Sequence, residues 1–446
     1  MVSTFTSSIV AAVVVLGVII VIHELGHFLV AKLFKIRVET FSIGFGPRLL
    51  GFRYGDTDYR ISALPLGGYV KMAGENPADT ITGAPHEFLS KPKWQRFLVA
   101  AAGPAMNIVL AVALLMALFM YGTEVPAFSE GEAIVGPVES GSAAEAAGIQ
   151  TGDRIVTIDG KDRPDWEAVE ARIVTNAGRS VAVVLNRNGR IINTSVTPLP
   201  QGRDEAGYAG MRPHLQETNV VERVLAGSPI EVAGLRPGDA ITSVNGLEIK
   251  NLSGREIRDT LQSVSKTQEK VPITFVRNGE PHDIQVGRTI LPDGRRIVGI
   301  ERFVTPTVMI KETFDDALRR SINKNAEYGT LIFQVLGKLV TRQASMKSLD
   351  GPIGIARVAG QSYEAGFAPL LMLMAMISLN LGLMNLLPIP ILDGGVMILL
   401  IVEAVMGHDL SLALKERIVQ VSFVFLLTLM GFVIYNDVMK LLPAIG

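Results

Sequence analysis

His23, Glu24 and His27 lie within VIHELGHFLV (Val21–Val30), part of a strongly apolar run. Histidines four apart share one face of a helix, a turn from each other, and Glu24 adjoins the first. Two imidazoles at that spacing can bind zinc, with the glutamate activating its water. The chain has six histidines and no cysteine, which excludes disulfides and thiolate sites and leaves only His, Asp or Glu to hold a metal. Each ionised carboxylate at a bilayer centre costs about 2.5–3.5 kcal/mol. A complete zinc site contributes on the order of 10 kcal/mol or more. A metal therefore accounts for three ionisable groups in one apolar turn, where isolated side chains would not. Gly26, between the two histidines, lets another helix approach closely.

Hydrolytic zinc needs a third protein ligand and an open position for water. His86, His214, His282 and His408 all fall outside the apolar stretches. The best remaining donor is Asp393, in NLLPIPILDGG (Asn385–Gly395). Pro388 and Pro390 cannot continue a helix, so the backbone here must unwind. At membrane depth such backbone is tolerated only when buried in protein or lining a wet cavity. Gly394 and Gly395 would let the chain pass close to a metal. Glu403 is the competing acid, in otherwise regular surroundings. The expected site is one Zn2+ on His23, His27 and Asp393, with Glu24 as general base.

The elements that must position these groups are apolar. The 446 residues are 48% hydrophobic, with a net charge of -1, which fits a membrane protein carrying a soluble part and gives no pull toward nucleic acid. Phe5–Ile22 runs uncharged into the histidine motif and is expected to be a retained helix, since neither a preceding basic residue nor a cleavage pattern marks a signal peptide. Phe97–Tyr121, Ala365–Leu392 and Ile418–Asn436 are also free of charge and long enough to span. Ten basic residues, Lys32 to Arg96, lie around the link between the first two spans. The positive-inside rule puts that link in the cytoplasm and both termini, with the long middle segment, outside.

The middle segment is duplicated. VESGSAAEAAGIQTGDRIVTIDG (Val138–Gly160) matches VLAGSPIEVAGLRPGDAITSVNG (Val224–Gly246) at a constant offset of 86 residues. The pattern resembles PDZ domains, which hold peptides by strand addition and receive the terminal carboxylate in a small-residue loop. Ala209-Gly210-Met211 and Val298-Gly299-Ile300 are the loops expected to do so, in a circularly permuted order. Between Phe314 and Leu339 apolar residues recur at three and four, which predicts one or two amphipathic helices, lying on the membrane or under the second module. Phe41–Met72 alternates like a strand pair, whose free edge near the membrane could dock an extended segment, Gly67 and Gly68 included.

HELGH, GPAMN (Gly103–Asn107) and NLLPIPILDGG together resemble the site-2 protease family of intramembrane zinc metalloproteases, over essentially the whole chain. The resemblance implies zinc on His23, His27 and Asp393, and Glu24 as base. It implies Asn380 or Asn385 orienting an unwound substrate, and a membrane-reentrant β-loop over Phe41–Met72. Substrates would be single-pass membrane proteins, typically anti-sigma factors already trimmed outside, with the PDZ-like modules screening out bulky ones. The location would be a bacterial inner membrane. The fold expected is a polytopic α-helical membrane protein of about four spans, with a membrane-associated β-hairpin and two tandem PDZ-like α+β domains. Its divisions are 1–34 (first span), 35–96 (link with β-loop), 97–121 (second span), 122–213 and 214–305 (the PDZ-like domains), 306–346 (amphipathic linker), 347–392 (third region) and 393–446 (fourth region). The alternative is a PDZ-bearing scaffold with a structural metal site; a transporter is disfavoured because the apolar spans show no repeated halves.

Overall fold

The structure, a computed structural model, describes residues 2–75, 82–202, 205–214, 218–249, 254–287, 289–290, 296–297, 299–341 and 351–441. In chain order its helices are α1 (Val2–Leu33), α2 (Lys93–Tyr121), α3 (Ala143–Ala146), α4 (Trp166–Val174), α5 (Pro229–Val232), α6 (Gly254–Thr267), α7 (Phe314–Val340), α8 (Pro352–Ala365), α9 (Phe367–Asn385), α10 (Asp393–Met406) and α11 (Leu412–Leu441). The chain forms two compact units, one of residues 1–123, 201–205 and 310–446, the other of 124–200 and 206–309.

In the first unit, segments of α1, α2, α9 and α11 are long and apolar enough to cross a membrane. Small residues let these helices pack closely, as lipid-embedded interfaces require. A side chain at Gly26 on α1 would overlap the Ala102 carbonyl of α2, and one at Gly382 on α9 would stand 2.9 Å from the Pro104 carbonyl. Ser378 on α9 donates to the Asn107 carbonyl at 2.8 Å, so a buried hydroxyl ties α9 to α2. Pro104 inside α2 lacks an N–H, and neighbouring helices make such a residue tolerable in an apolar environment.

The third region, 347–392, holds two helices, of which α9 carries the apolar run. Gly366 separates α8 from α9, and α8, with Arg357 and Glu364, packs Ala359 against Ala11 and Ala12 of α1. Asp437 of α11 caps it, accepting from the backbone N–H groups of Gly351, Ile353 and Gly354 at 2.9–3.1 Å. The amphipathic stretch is a single helix, α7, and its inner face lies against α2 and α9. Ala317, Ser321, Asn325, Tyr328 and Gly329 are buried there, and the Arg320 guanidinium sits 4.9 Å from the Phe119 ring centroid.

Strands β1 (Val38–Tyr54) and β2 (Thr57–Met72) pair antiparallel, but each is folded on itself. Thr40 to Ile43 pair on one side with Asp58 to Ile61 and on the other with Gly68 to Lys71. The result is a four-segment sheet whose last segment, 68–72, is an edge lying along α1. At the far end Leu49, Leu50, Phe52 and Tyr54 are exposed, an apolar tip suited to lipid.

The second unit contains two modules of matching design, each with its own core: one from Ala133 to Met211, the other from Val221 to Phe303. The repeated residues explain themselves. Ser142 and Ser228 cap α3 and α5, accepting from Glu145 and Glu231 N–H, and those glutamates reach back to the N–H of Gly141 and Gly227 at 2.6 Å. Asp153 and Asp239, each 1% exposed, take bidentate bonds from Arg187 and Arg277 at 2.7–2.8 Å. The loop at Ala209-Gly210-Met211 folds against the first cap, so that a side chain on Gly210 would collide with Ser142; Gly299 meets Ser228 in the same way. Val298 lies outside the described residues.

Candidate metal centre and active site

His23 and His27 face α2 from one side of α1. Nε2 of His27 is 3.2 Å from Nε2 of His23, which is 3.1 Å from Oδ2 of Asp393; Oδ1 of Asp393 is 3.5 Å from Nε2 of His27. Zinc–ligand bonds of about 2.0–2.1 Å in a tetrahedron separate ligand atoms by about 3.3–3.4 Å. The three donors already stand at that spacing. Among the described residues this is the one such group of His, Asp and Glu side chains.

The imidazoles are turned so that Nε2 is the free donor. Nδ1 of His27 donates to the Val99 carbonyl at 2.8 Å. Nδ2 of the Asn107 amide lies 3.2 Å from Nδ1 of His23 and in this orientation donates to it; with the amide turned over, its oxygen would accept from Nδ1–H and leave Nε2 unprotonated for a metal. Asn107 is fully buried. It sits in GPAMN but was absent from the residues expected to touch the site; its place one turn beyond Gly103 on α2, facing the metal histidines, is the signal that could have found it. Gly103 itself must be a glycine, because a side chain there would overlap Nε2 of His27.

Asp393 is the first residue of α10, where the unpaired N–H groups of a helix favour a carboxylate. The Pro388–Pro390 segment doubles back so tightly that side chains on Gly394 or Gly395 would overlap the Leu386 and Ile389 carbonyls. Glu403, the competing acid, is elsewhere occupied. It is 1% exposed, pairs with Lys415 at 2.5 Å and accepts from Leu410 N–H at 2.9 Å.

The cluster opens into a cavity of about 790 Å³ lined by Glu24, Gly67, Gly68 and Asn385 among others. Gly68 places bare backbone beside Glu24: an added Cβ would be 3.3 Å from the Glu24 Cγ. Asn380 is exposed on α9 and does not line the cavity, unlike Asn385. The sheet edge, the acid and the three donors thus share one space. That arrangement can hold an extended chain, a metal and a proton acceptor together.

Residues 11–429 match the family model described as peptidase family M50. The chain is 32% identical to the regulator of sigma E protease of Haemophilus influenzae, covering 98% of this chain and all of that one. It is 31% identical to the regulator of sigma-E protease RseP of Escherichia coli, with the same coverage of both. A Neisseria meningitidis protein named as a zinc metalloprotease is 32% identical over 95% of this chain and 97% of its own. Among solved structures, a PDZ domain from Listeria monocytogenes aligns at 22% identity with a TM-score of 0.16, covering 19% of this chain and 86% of that one. Full-length similarity to bacterial proteases, with four helices among the described residues long and apolar enough to span a membrane, favours an enzyme over a scaffold. The chain belongs to peptidase family M50, the zinc-dependent metalloproteases that work within membranes.

Proposed function

We propose that His23, His27 and Asp393 hold one zinc ion and that Glu24 is the general base for cutting a peptide bond in or near the transmembrane segment of single-pass membrane proteins. The spacing of three donor atoms at 3.1–3.5 Å, beside Glu24, carries this reading. Zinc bound there would polarise the scissile carbonyl and make its water acidic enough to react at neutral pH. Glu24 takes the water's proton and delivers it to the leaving nitrogen. A helical substrate hides its peptide bonds, so it must first unwind; pairing with the 68–72 edge holds it extended and satisfies its freed backbone groups. Asn385, in the cavity wall, orients it.

The relatives' names point to sigma-E regulation, and the substrate we assign is an anti-sigma factor already trimmed on its outer side. The enzyme sits in the bacterial inner membrane with residues 35–96 cytoplasmic. Residues 122–213 and 214–305 are two periplasmic PDZ domains that bind peptide termini and screen substrates; their matching caps and ion pairs support the duplication. In the test, Glu24→Gln keeps zinc and fold but stops cleavage of a reporter substrate by about 100-fold or more, whereas Asp393→Ala loses zinc. Wild-type cleavage by the first variant, or full metal in the second, would overturn the assignment.

A further inference from the structure

Arg96 lies on α2 along one face with Val99, Ala100 and Gly103, and it lines the same cavity as the metal cluster. It is 4% exposed, and its Nε has no hydrogen-bond partner. The acids near it already have partners. Lys415 pairs with Glu403 at 2.5 Å and Lys93 with Asp409 at 2.9 Å; Arg96 also acts on Asp409, so three cations share two acids and one positive charge is left over. Glu403 keeps Oε2 without a partner, but its charge is balanced by Lys415. A buried guanidinium that must share an acid with a lysine is destabilising, and such local conflicts concentrate where a ligand resolves them.

Distance indicates which ligand. Seven residues separate Arg96 from Gly103, whose backbone abuts the imidazoles, so the two stand about 10 Å apart along the helix axis at about 1.5 Å per residue. An extended chain advances about 3.3 Å per residue. A segment held at the metal therefore brings a residue about three positions from the cut alongside Arg96.

We propose that Arg96 is a specificity-determining residue that binds an aspartate or glutamate side chain of the substrate, about three residues from the scissile bond. The guanidinium fork matches a carboxylate through two parallel hydrogen bonds. A lipid phosphate would fit the same fork, but the cavity also contains Glu24 and the three metal donors, and the substrate must occupy it for reaction. The proposal rests on the catalytic reading above.

The test uses the full-length, zinc-loaded Glu24→Gln protein and membrane-segment peptides in micelles. Asp is placed singly at each position within five residues of the cut, with Ala elsewhere. One Asp position about three residues away should bind tenfold or more tighter than Ala. That preference should vanish in Glu24→Gln/Arg96→Gln and shift toward Lys in Glu24→Gln/Arg96→Glu. Zinc content and helical circular dichroism of the Arg96 variants should match those of their parent. No positional preference, a preference that survives Arg96→Gln, or a uniform fall for acidic and neutral segments alike would overturn the proposal. So would loss of co-purifying anionic phospholipid on Arg96→Gln without any positional preference. Failure of the zinc-loaded wild type to cut even the all-Ala segment would instead count against the catalytic reading.

Discussion

Gly103→Ala is the sharpest test of the metal centre, because it adds one methyl group and changes no donor. The new carbon would overlap Nε2 of His27 and stand 2.8 Å from Nε2 of His23. Non-bonded carbon contacts are most favourable at about 3.5–4.0 Å, so the His23 ring must retreat by about 0.7 Å and that of His27 further. Neither helix can yield easily. His27 is tied to the Val99 carbonyl on α2, and Gly26 of α1 already presses on Ala102. Metal–ligand distances tolerate only about 0.2 Å, and the required shift is more than three times that. Loss of an outer-shell partner alone weakens metal binding about 10–100-fold. Direct displacement of two donors should weaken it about 100-fold or more, with cleavage falling at least in step. Zinc affinity would be measured by chelator competition on purified protein, metal content by elemental analysis, and helix content by circular dichroism as the check on folding. A Gly103→Ala protein that binds one zinc with wild-type affinity and cuts at the wild-type rate would refute the packing argument.

Two further outcomes follow from the same contacts. Asn107→Leu, which removes the partner of His23 Nδ1, should lower zinc affinity about 10–100-fold while leaving Glu24 untouched, read by the same chelator competition. The Asp153 carboxyl is pushed up by burial, yet Arg187 and the Gln150 N–H overcome this and hold it below the ordinary range. A carboxylate so depressed stabilises the fold above its unfolded pKa, and that contribution is lost as pH falls through the lower folded value. Arg187→Met should therefore lower the melting temperature of residues 124–309 at neutral pH and flatten its decline on acidification, followed in the full-length protein by scanning calorimetry; an unchanged acid limb would remove the pair from the account.

Much of the architecture was legible because it is written in simple periods. Uninterrupted apolar runs marked the spans, and one constant offset marked the duplicated module. Proline beside paired glycines marked the bend that presents Asp393. Other features depend on what packs opposite. The stretch 314–339 is amphipathic by any count, but whether water, lipid or protein covers its inner face is settled by Phe119 and Leu383 on α2 and α9. The α8 segment carries charge and precedes the uncharged run Ala365–Leu392 within the third region; its Ala359 and Gly360 face is recognisable only once Ala11, Ala12 and Ser8 of α1 are set against it.

The residues nearest the chemistry divide along the same line. His23, Glu24 and His27 form a local pattern, so spacing alone reveals them. Asn107 and Arg96 act through space, and in sequence each has an ordinary explanation: an amide within a small-residue helix, and one of ten basic residues flanking a span. The positive-inside rule uses Arg96 as a surface charge, yet the structure buries it in the wall of the catalytic cavity. A basic residue that only sets orientation needs water around it. One that is 4% exposed, with Nε unpartnered and Asp409 shared with Lys93, is in tension with that role, and the tension is relieved if an acid arrives with the substrate. Cutting and choosing would then be divided along a single helix face, with Gly103 admitting the metal and Arg96, two turns away, testing what is fed to it.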